Sequence, residues 1–277
     1  MASIGQVIFW GMIVLIFIVG GLIILILSIA FTRSQSPFVE SRDASPVGNI
    51  GADVQLDCSF RVSGTGSKPA GSVSVTWEKA GLSGVVFRYQ NGAAQLQNQN
   101  PQFHDRAQIF PGGLAAGNAS LLLWSVGPRD AGEYRCSVSA PSGQGSTSVH
   151  LRVAAYSPPS FTLSGRNLTA EAERWFPEPS VAWTDQQGHA LNASELLSNN
   201  SAGIFRVVTT LLDPAQSDDT YTCLIRNHLV TSVSLATVTE SGVTSRTRFT
   251  FNPAPTLRPL HLAFTAPLHL WTCYLLT

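Results

Sequence analysis

Asp130-Ala131-Gly132-Glu133-Tyr134-Arg135-Cys136 sets a tyrosine two residues ahead of a cysteine, and Cys58 and Trp77 lie upstream of it. A cysteine on the second strand and one on the sixth can cross-link two packed β-sheets, while a tryptophan on the third covers the bridge. A tyrosine two residues before the second cysteine ties down the preceding turn through a hydroxyl-to-backbone bond. The spacing therefore predicts an all-β sandwich pinned by Cys58 and Cys136, with Trp77 and Tyr134 as core markers. Such a frame presents a recognition surface rather than a catalyst.

Period-two alternation extends the pattern outward. Val54, Leu56, Cys58 and Phe60 face inward on one strand, Val73, Val75 and Trp77 on another, then Tyr134, Cys136 and Val138, then Val149, Leu151 and Val153. Between Trp77 and Arg106, residues 84–90 followed by Asn91-Gly92 read as an extra strand and a turn. That extra length resembles the nine-strand variable-type immunoglobulin (V-set) sandwich, here over residues 47–153. Arg106 and Asp130 are placed to form a salt bridge across its base.

A second unit, residues 158–240, carries Trp175-Phe176-Pro177-Glu178-Pro179, Trp183 and Tyr221-Thr222-Cys223, and resembles a constant-type immunoglobulin domain. Trp183 and Tyr221 are its core markers. Where a partner cysteine would stand, the chain has Ala170. Cys223 is thereby left odd, and Cys273 in the tail is the other unpaired cysteine. Cys223 is then a buried inert thiol, half of an interchain disulfide, or a partner of Cys273.

The first 32 residues contain no charged side chain, and Val7 to Phe31 is an almost unbroken apolar run, long enough as a helix to cross a bilayer. Ser28-Ile29-Ala30 offers the small residues that a signal peptidase accepts, so residues 1–30 read as a signal peptide or a retained signal anchor. Four N-x-Ser/Thr sequons follow, at Asn118, Asn167, Asn192 and Asn199, and glycans there would make the downstream chain extracellular. Residues 241–259 read as a stalk. The apolar tail, 260–277, is short for a span and is broken by Pro267, so how it anchors is open; no cytoplasmic domain is expected after it. The expected location is the extracellular side of the plasma membrane, with membrane contact through either apolar end.

Charged residues make up only 12% of the chain, and Lys plus Arg equals Asp plus Glu. No field of one sign, and no Lys/Arg cluster, is available for nucleic acid. His104, His150, His189, His228, His261 and His269 show no metal-binding spacing. There is no Gly-x-Ser-x-Gly elbow and no phosphate-cradling loop before a helix. Neither an enzyme nor a cofactor or metal site is expected.

The opening Met1-Ala2-Ser3-Ile4-Gly5-Gln6-Val7-Ile8-Phe9-Trp10, the segments Gly48-Asn49-Ile50-Gly51 and Gly117-Asn118-Ala119-Ser120-Leu121, the 130–136 motif and Arg174-Trp175-Phe176-Pro177 together resemble the T-cell co-stimulatory and co-inhibitory ligands related to butyrophilins. The resemblance covers residues 1–240. It implies a cell-surface ligand that restrains T-cell activation through a protein counter-receptor on T cells. A homophilic adhesion molecule and a secreted decoy share this architecture and remain alternatives.

In variable-type sandwiches the larger sheet is the usual binding face. Alternation puts Ser74, Thr76 and Glu78, then Arg135, Ser137 and Ser139, then His150 and Arg152 on its outside. Arg88, with either Phe87 or Tyr89, is expected to add interface weight, since arginine and aromatics dominate binding energetics. On the opposite sheet Leu122 and Trp124 are expected to point outward as a patch for self-association.

Overall fold

A computed structural model describes residues 4–33, 37–62 and 72–253, so Cys273 and the tail from 254 lie outside the described residues. The chain opens with one helix, α1 (Ile4–Arg33), whose segment Phe9–Ser28 is long and apolar enough to cross a membrane. Described side chains of α1 are mostly exposed, which is the pattern of a helix without a protein core to cover it.

The first sandwich is built from β1 (Val39–Glu40), β2 (Val47–Asn49), β3 (Val54–Leu56), β4 (Ser59–Phe60), β5 (Ser74–Lys79), β6 (Phe87–Gln90), β7 (Ala93–Ala94), β8 (Ala107–Ile109), β9 (Leu121–Leu123), β10 (Gly132–Ala140) and β11 (Gly143–Ala154). One sheet has the order β2-β11-β10-β5-β6-β7; facing it are β3-β9-β8 and the short pair β1-β4. Asn91 and Gly92 join β6 to β7 with φ of 55° and 81°, the positive pair that a two-residue hairpin turn requires.

Its core is stitched around one point. Cys58 and Cys136 form a disulfide, and Trp77 packs beside it in the same buried cluster. The Trp77 indole donates to the Ala119 carbonyl at 2.9 Å, and the Tyr134 hydroxyl donates to the Asp130 carbonyl at 2.7 Å. A buried indole or phenol without a partner costs free energy, so these bonds fix both rings in orientation.

The second sandwich comprises β12 (Ser160–Ser164), β13 (Asn167–Trp175), β14 (Ser180–Thr184), β15 (Ala190–Leu191), β16 (Ala193–Asn199), β17 (Phe205–Leu211), β18 (Thr220–Arg226), β19 (Val230–Thr239) and β20 (Gly242–Phe251). Its sheets run β12-β13-β17-β16 and β15-β14-β18-β19-β20. Cys223 is free, wholly buried, and opposite Trp183 in register. Burial pushes its thiol up to about 12. Ala170 is also buried in this core, and the unit holds together around Trp175 and Trp183 without an inter-sheet bridge. The Trp183 indole donates to the Thr209 hydroxyl at 3.0 Å, and the Tyr221 hydroxyl accepts from the Gln216 amide at 2.9 Å.

The expected stalk is corrected here. Residues 242–251 form β20, which turns back at 240–241 and pairs with β19 from Thr239↔Gly242 to Val230↔Phe251. The alternation that drives it is visible in Val243, Phe249 and Phe251, and the two phenylalanines pack against Tyr156, one tilted and one edge-on, with centroids 5.1 and 5.5 Å away. Past them, the Asn252 carbonyl accepts from Arg152 of the first sandwich at 2.6 Å. The described chain therefore ends at the junction of the two sandwiches, not at the far end of the second.

Candidate functional site

The outer face of β11-β10-β5-β6 is organised in cross-strand rows. Ser146, Ser137, Thr76 and Arg88 make one, and Ser148, Arg135 and Glu78 make the next. His150 lies opposite Glu133 at the β10–β11 edge. The Arg135 guanidinium donates to the Ser146 hydroxyl at 3.0 Å, which holds its long side chain along the sheet. Hydroxyls dominate, so the face is flat and hydrogen-bonding, with shallow depressions around Ser74, Thr76, Arg135 and Ser139 and around Glu78, Ser83, Arg88 and Asn100.

Phe87 and Tyr89 are not on this face. They are only 6% and 4% exposed, because Phe87 lies opposite Trp77 and Tyr89 opposite Val75, and directly paired residues share a side of the sheet. Arg88, between them, is half-exposed. Arg152 is likewise committed elsewhere, donating to the carbonyls of Ser45 and Asn252. Leu82, which sequence reasoning passed over, is an exposed apolar side chain in the β5–β6 turn and lines a depression with Glu78, Glu133 and Arg135. A leucine in a Gly-Leu-Ser-Gly turn was the available signal, since nothing local could bury it.

Below the face, Asp130 is nearly buried and takes hydrogen bonds from Arg106 at 2.6 Å, Gln102 at 2.8 Å and the Gly127 amide at 2.8 Å. Burial pushes its carboxyl up, but the bonds from Arg106, Gly127 and Gln102 together with the Arg106 charge outweigh that and leave it below the usual carboxylate range. Arg106 and Asp130 are thus the salt bridge read from sequence. Leu122 and Trp124, expected as a protruding patch, are half-buried; Trp124 helps wall a cleft with Phe87, Tyr89 and Ile109. The sequon asparagines 118, 167, 192 and 199 are all exposed.

The V-set immunoglobulin family model matches residues 42–154, and the model for the Ig-C domain of butyrophilin subfamily 3 member A2-like proteins matches 162–233. V-set domain-containing T-cell activation inhibitor 1 of Rattus norvegicus is 32% identical over 100% of both chains. This chain belongs to that family. Within it, the Homo sapiens protein of the same name is 32% identical over 89% of this chain and 88% of its own. More distant than these members of the V-set domain-containing T-cell activation inhibitor family, butyrophilin-like protein 2 of Homo sapiens is 31% identical over 74% of this chain and 44% of its own. Among solved structures, bovine butyrophilin has 23% identity and a TM-score of 0.49, covering 78% of this chain and 98% of that one.

Proposed function

We propose that this protein is a ligand on the extracellular side of the plasma membrane that restrains T-cell activation by engaging a protein counter-receptor. The full-length relationship to the T-cell activation inhibitors carries the reading, because the sign of the effect comes from what those relatives are named for. The docking surface we assign is the outer face of the first sandwich: Thr76, Glu78, Arg88, Arg135, Ser137 and His150, with Leu82 at its rim. Interfaces of this kind are no more apolar than the rest of a protein surface, and arginine is enriched among the residues that carry binding energy.

The attachment of α1 supports removal of the leader. Phe38 packs on Gly143 and Gly145 at the start of β11, beside the β10–β11 turn, and the five steps from Arg33 to Phe38 reach at most about 18 Å. A retained membrane helix would hold that turn close against the bilayer, where a receptor on another cell has poor access. The glycans we assign to Asn118, Asn167, Asn192 and Asn199 agree with an extracellular chain.

The test presents folded residues 31–253 on beads together with a T-cell-receptor stimulus and measures proliferation. Suppression supports the reading; unchanged or increased proliferation from folded protein overturns it. Bead clustering without T cells would favour homophilic adhesion instead, and full-length protein in the medium of expressing cells without detergent would favour a secreted decoy.

A further inference from the structure

The sequon Asn118-Ala119-Ser120 is sewn into the disulfide clasp of the first sandwich. The Ala119 amide donates to the Cys58 carbonyl at 2.8 Å, its carbonyl accepts from the Trp77 indole at 2.9 Å, and the Ser120 hydroxyl accepts from the Cys58 amide at 3.1 Å. Ser120 is only 3% exposed. Asn118 itself points to solvent, its Oδ1 accepting from the Ser120 amide at 2.9 Å, and no hydrogen bond engages its Nδ2 among the described residues. The acceptor atom is therefore open in the folded protein, while the hydroxyl that makes the triplet a sequon is closed.

Two of the three sequons of the second sandwich, those at Asn192 and Asn199, are built differently; at the third, Thr169 is half-buried and shares a hydrogen bond with the Thr210 hydroxyl at 2.8 Å. Ser194 and Ser201, which complete the triplets at Asn192 and Asn199, are exposed. The two triplets lie at the two ends of β16, the edge strand of its sheet, so a transferase can read asparagine and hydroxyl together without opening the core.

We propose that Asn118 accepts an oligosaccharide only before the first sandwich folds, so that closure of the Cys58–Cys136 clasp ends its modification. The proposal rests on the secretory reading above. Transfer joins Asn118 Nδ2 to the anomeric carbon of an oligosaccharide carried on a polyprenyl pyrophosphate. The anomeric C–O bond breaks, the pyrophosphate leaves with its electron pair, and the amide nitrogen gives up one proton. Reading the triplet requires the Ser120 hydroxyl, and reaching it in the native state means breaking the Cys58, Ala119 and Trp77 bonds together, an opening close to global unfolding for such a central element. Because the Asn118 side chain is solvent-exposed, a glycan attached early does not obstruct the fold that follows. Occupancy at Asn118 then records how long the first sandwich stays open, whereas occupancy at Asn192 and Asn199 does not.

The test uses the full chain, made with glycosylation inhibited, in detergent with purified oligosaccharyltransferase and the lipid-linked oligosaccharide. Site occupancy is read by mass spectrometry for native protein and for protein reduced and unfolded. Transfer to Asn118 is expected to be at least about 100-fold slower in the native than in the unfolded chain, with Asn192 and Asn199 modified in both and Ser120→Ala silent at Asn118 in both. Native transfer at Asn118 as fast as at Asn192 overturns the proposal, as does failure at Asn118 in the unfolded chain while Asn192 and Asn199 accept. The secretory reading beneath it is tested apart, on the chain made in cells without the inhibitor: a gel shift on glycosidase treatment supports it, and a chain with no glycan at any of the four sequons overturns it.

Discussion

Arg106 Nη2 donates to Asp130 Oδ2 at 2.6 Å, and the carboxylate that receives it is almost wholly buried in the connection between β9 and β10. The same residue supplies the carbonyl that holds the Tyr134 hydroxyl, so one aspartate joins the ion pair to the tyrosine corner. Asp130→Asn leaves Arg106 without its counter-charge and is expected to cost about 3 kcal/mol, the lower end for breaking a buried pair because Arg106 is partly exposed. Urea unfolding followed by tryptophan fluorescence measures it.

Acid sensitivity follows from the same carboxylate. Folded Asp130 ionises below the ordinary value of 3.8, so the unfolded chain binds its proton first as acid is added. Its stabilisation is complete above about pH 5 and is lost as the pH falls through 3.8 toward the lower folded value. Asp130→Asn should flatten that segment of the stability–pH curve, and an unchanged slope below pH 4 would remove Asp130 as the cause.

Among the described residues Cys223 has no disulfide partner, and Ala170 shares its buried core where the sequence lacks the second cysteine. Ala170→Cys should close the bridge and stabilise the second sandwich by about 2–4 kcal/mol, with loss of the single thiol that the unfolded residues 31–253 show to Ellman's reagent. In the unsubstituted protein that thiol should react only on unfolding, since burial raises its pKa to about 12.

On the outer face, Arg88→Ala and Leu82→Ala are each expected to weaken counter-receptor binding by about fivefold to tenfold, the effect of losing more than about 1 kcal/mol. Surface plasmon resonance against activated T-cell membranes reads this, with circular dichroism as the folding control. Tyr89→Ala belongs to a different class: it empties a core site and should cost about 3–5 kcal/mol of stability.

Strand β20 can be tested by removing its aromatic contacts. Phe249→Ala with Phe251→Ala deletes both ring pairs with Tyr156 and should cost about 1–3 kcal/mol. Hydrogen exchange should accelerate along β20 and at Tyr156, while the amides around Cys58 and Cys136 keep their protection.

What the sequence determined by itself was what alternation, short motifs and the marker residues of a known sandwich encode. The bridge of Cys58 and Cys136, the Trp77 lid, the Tyr134 corner and the missing partner at Ala170 are all visible because alternation and short offsets dictate which side chains face a core. Tertiary structure decided what depends on pairing between distant strands. Register with Trp77 and Val75 turned Phe87 and Tyr89 inward, and pairing with β19 made a strand of residues that read as a stalk. The hydroxyl of Ser120, polar and one residue from a core leucine, gave no local sign that Cys58 would enclose it. Such facts reside in contacts between segments far apart in the chain, whose geometry is set only when both sheets pack.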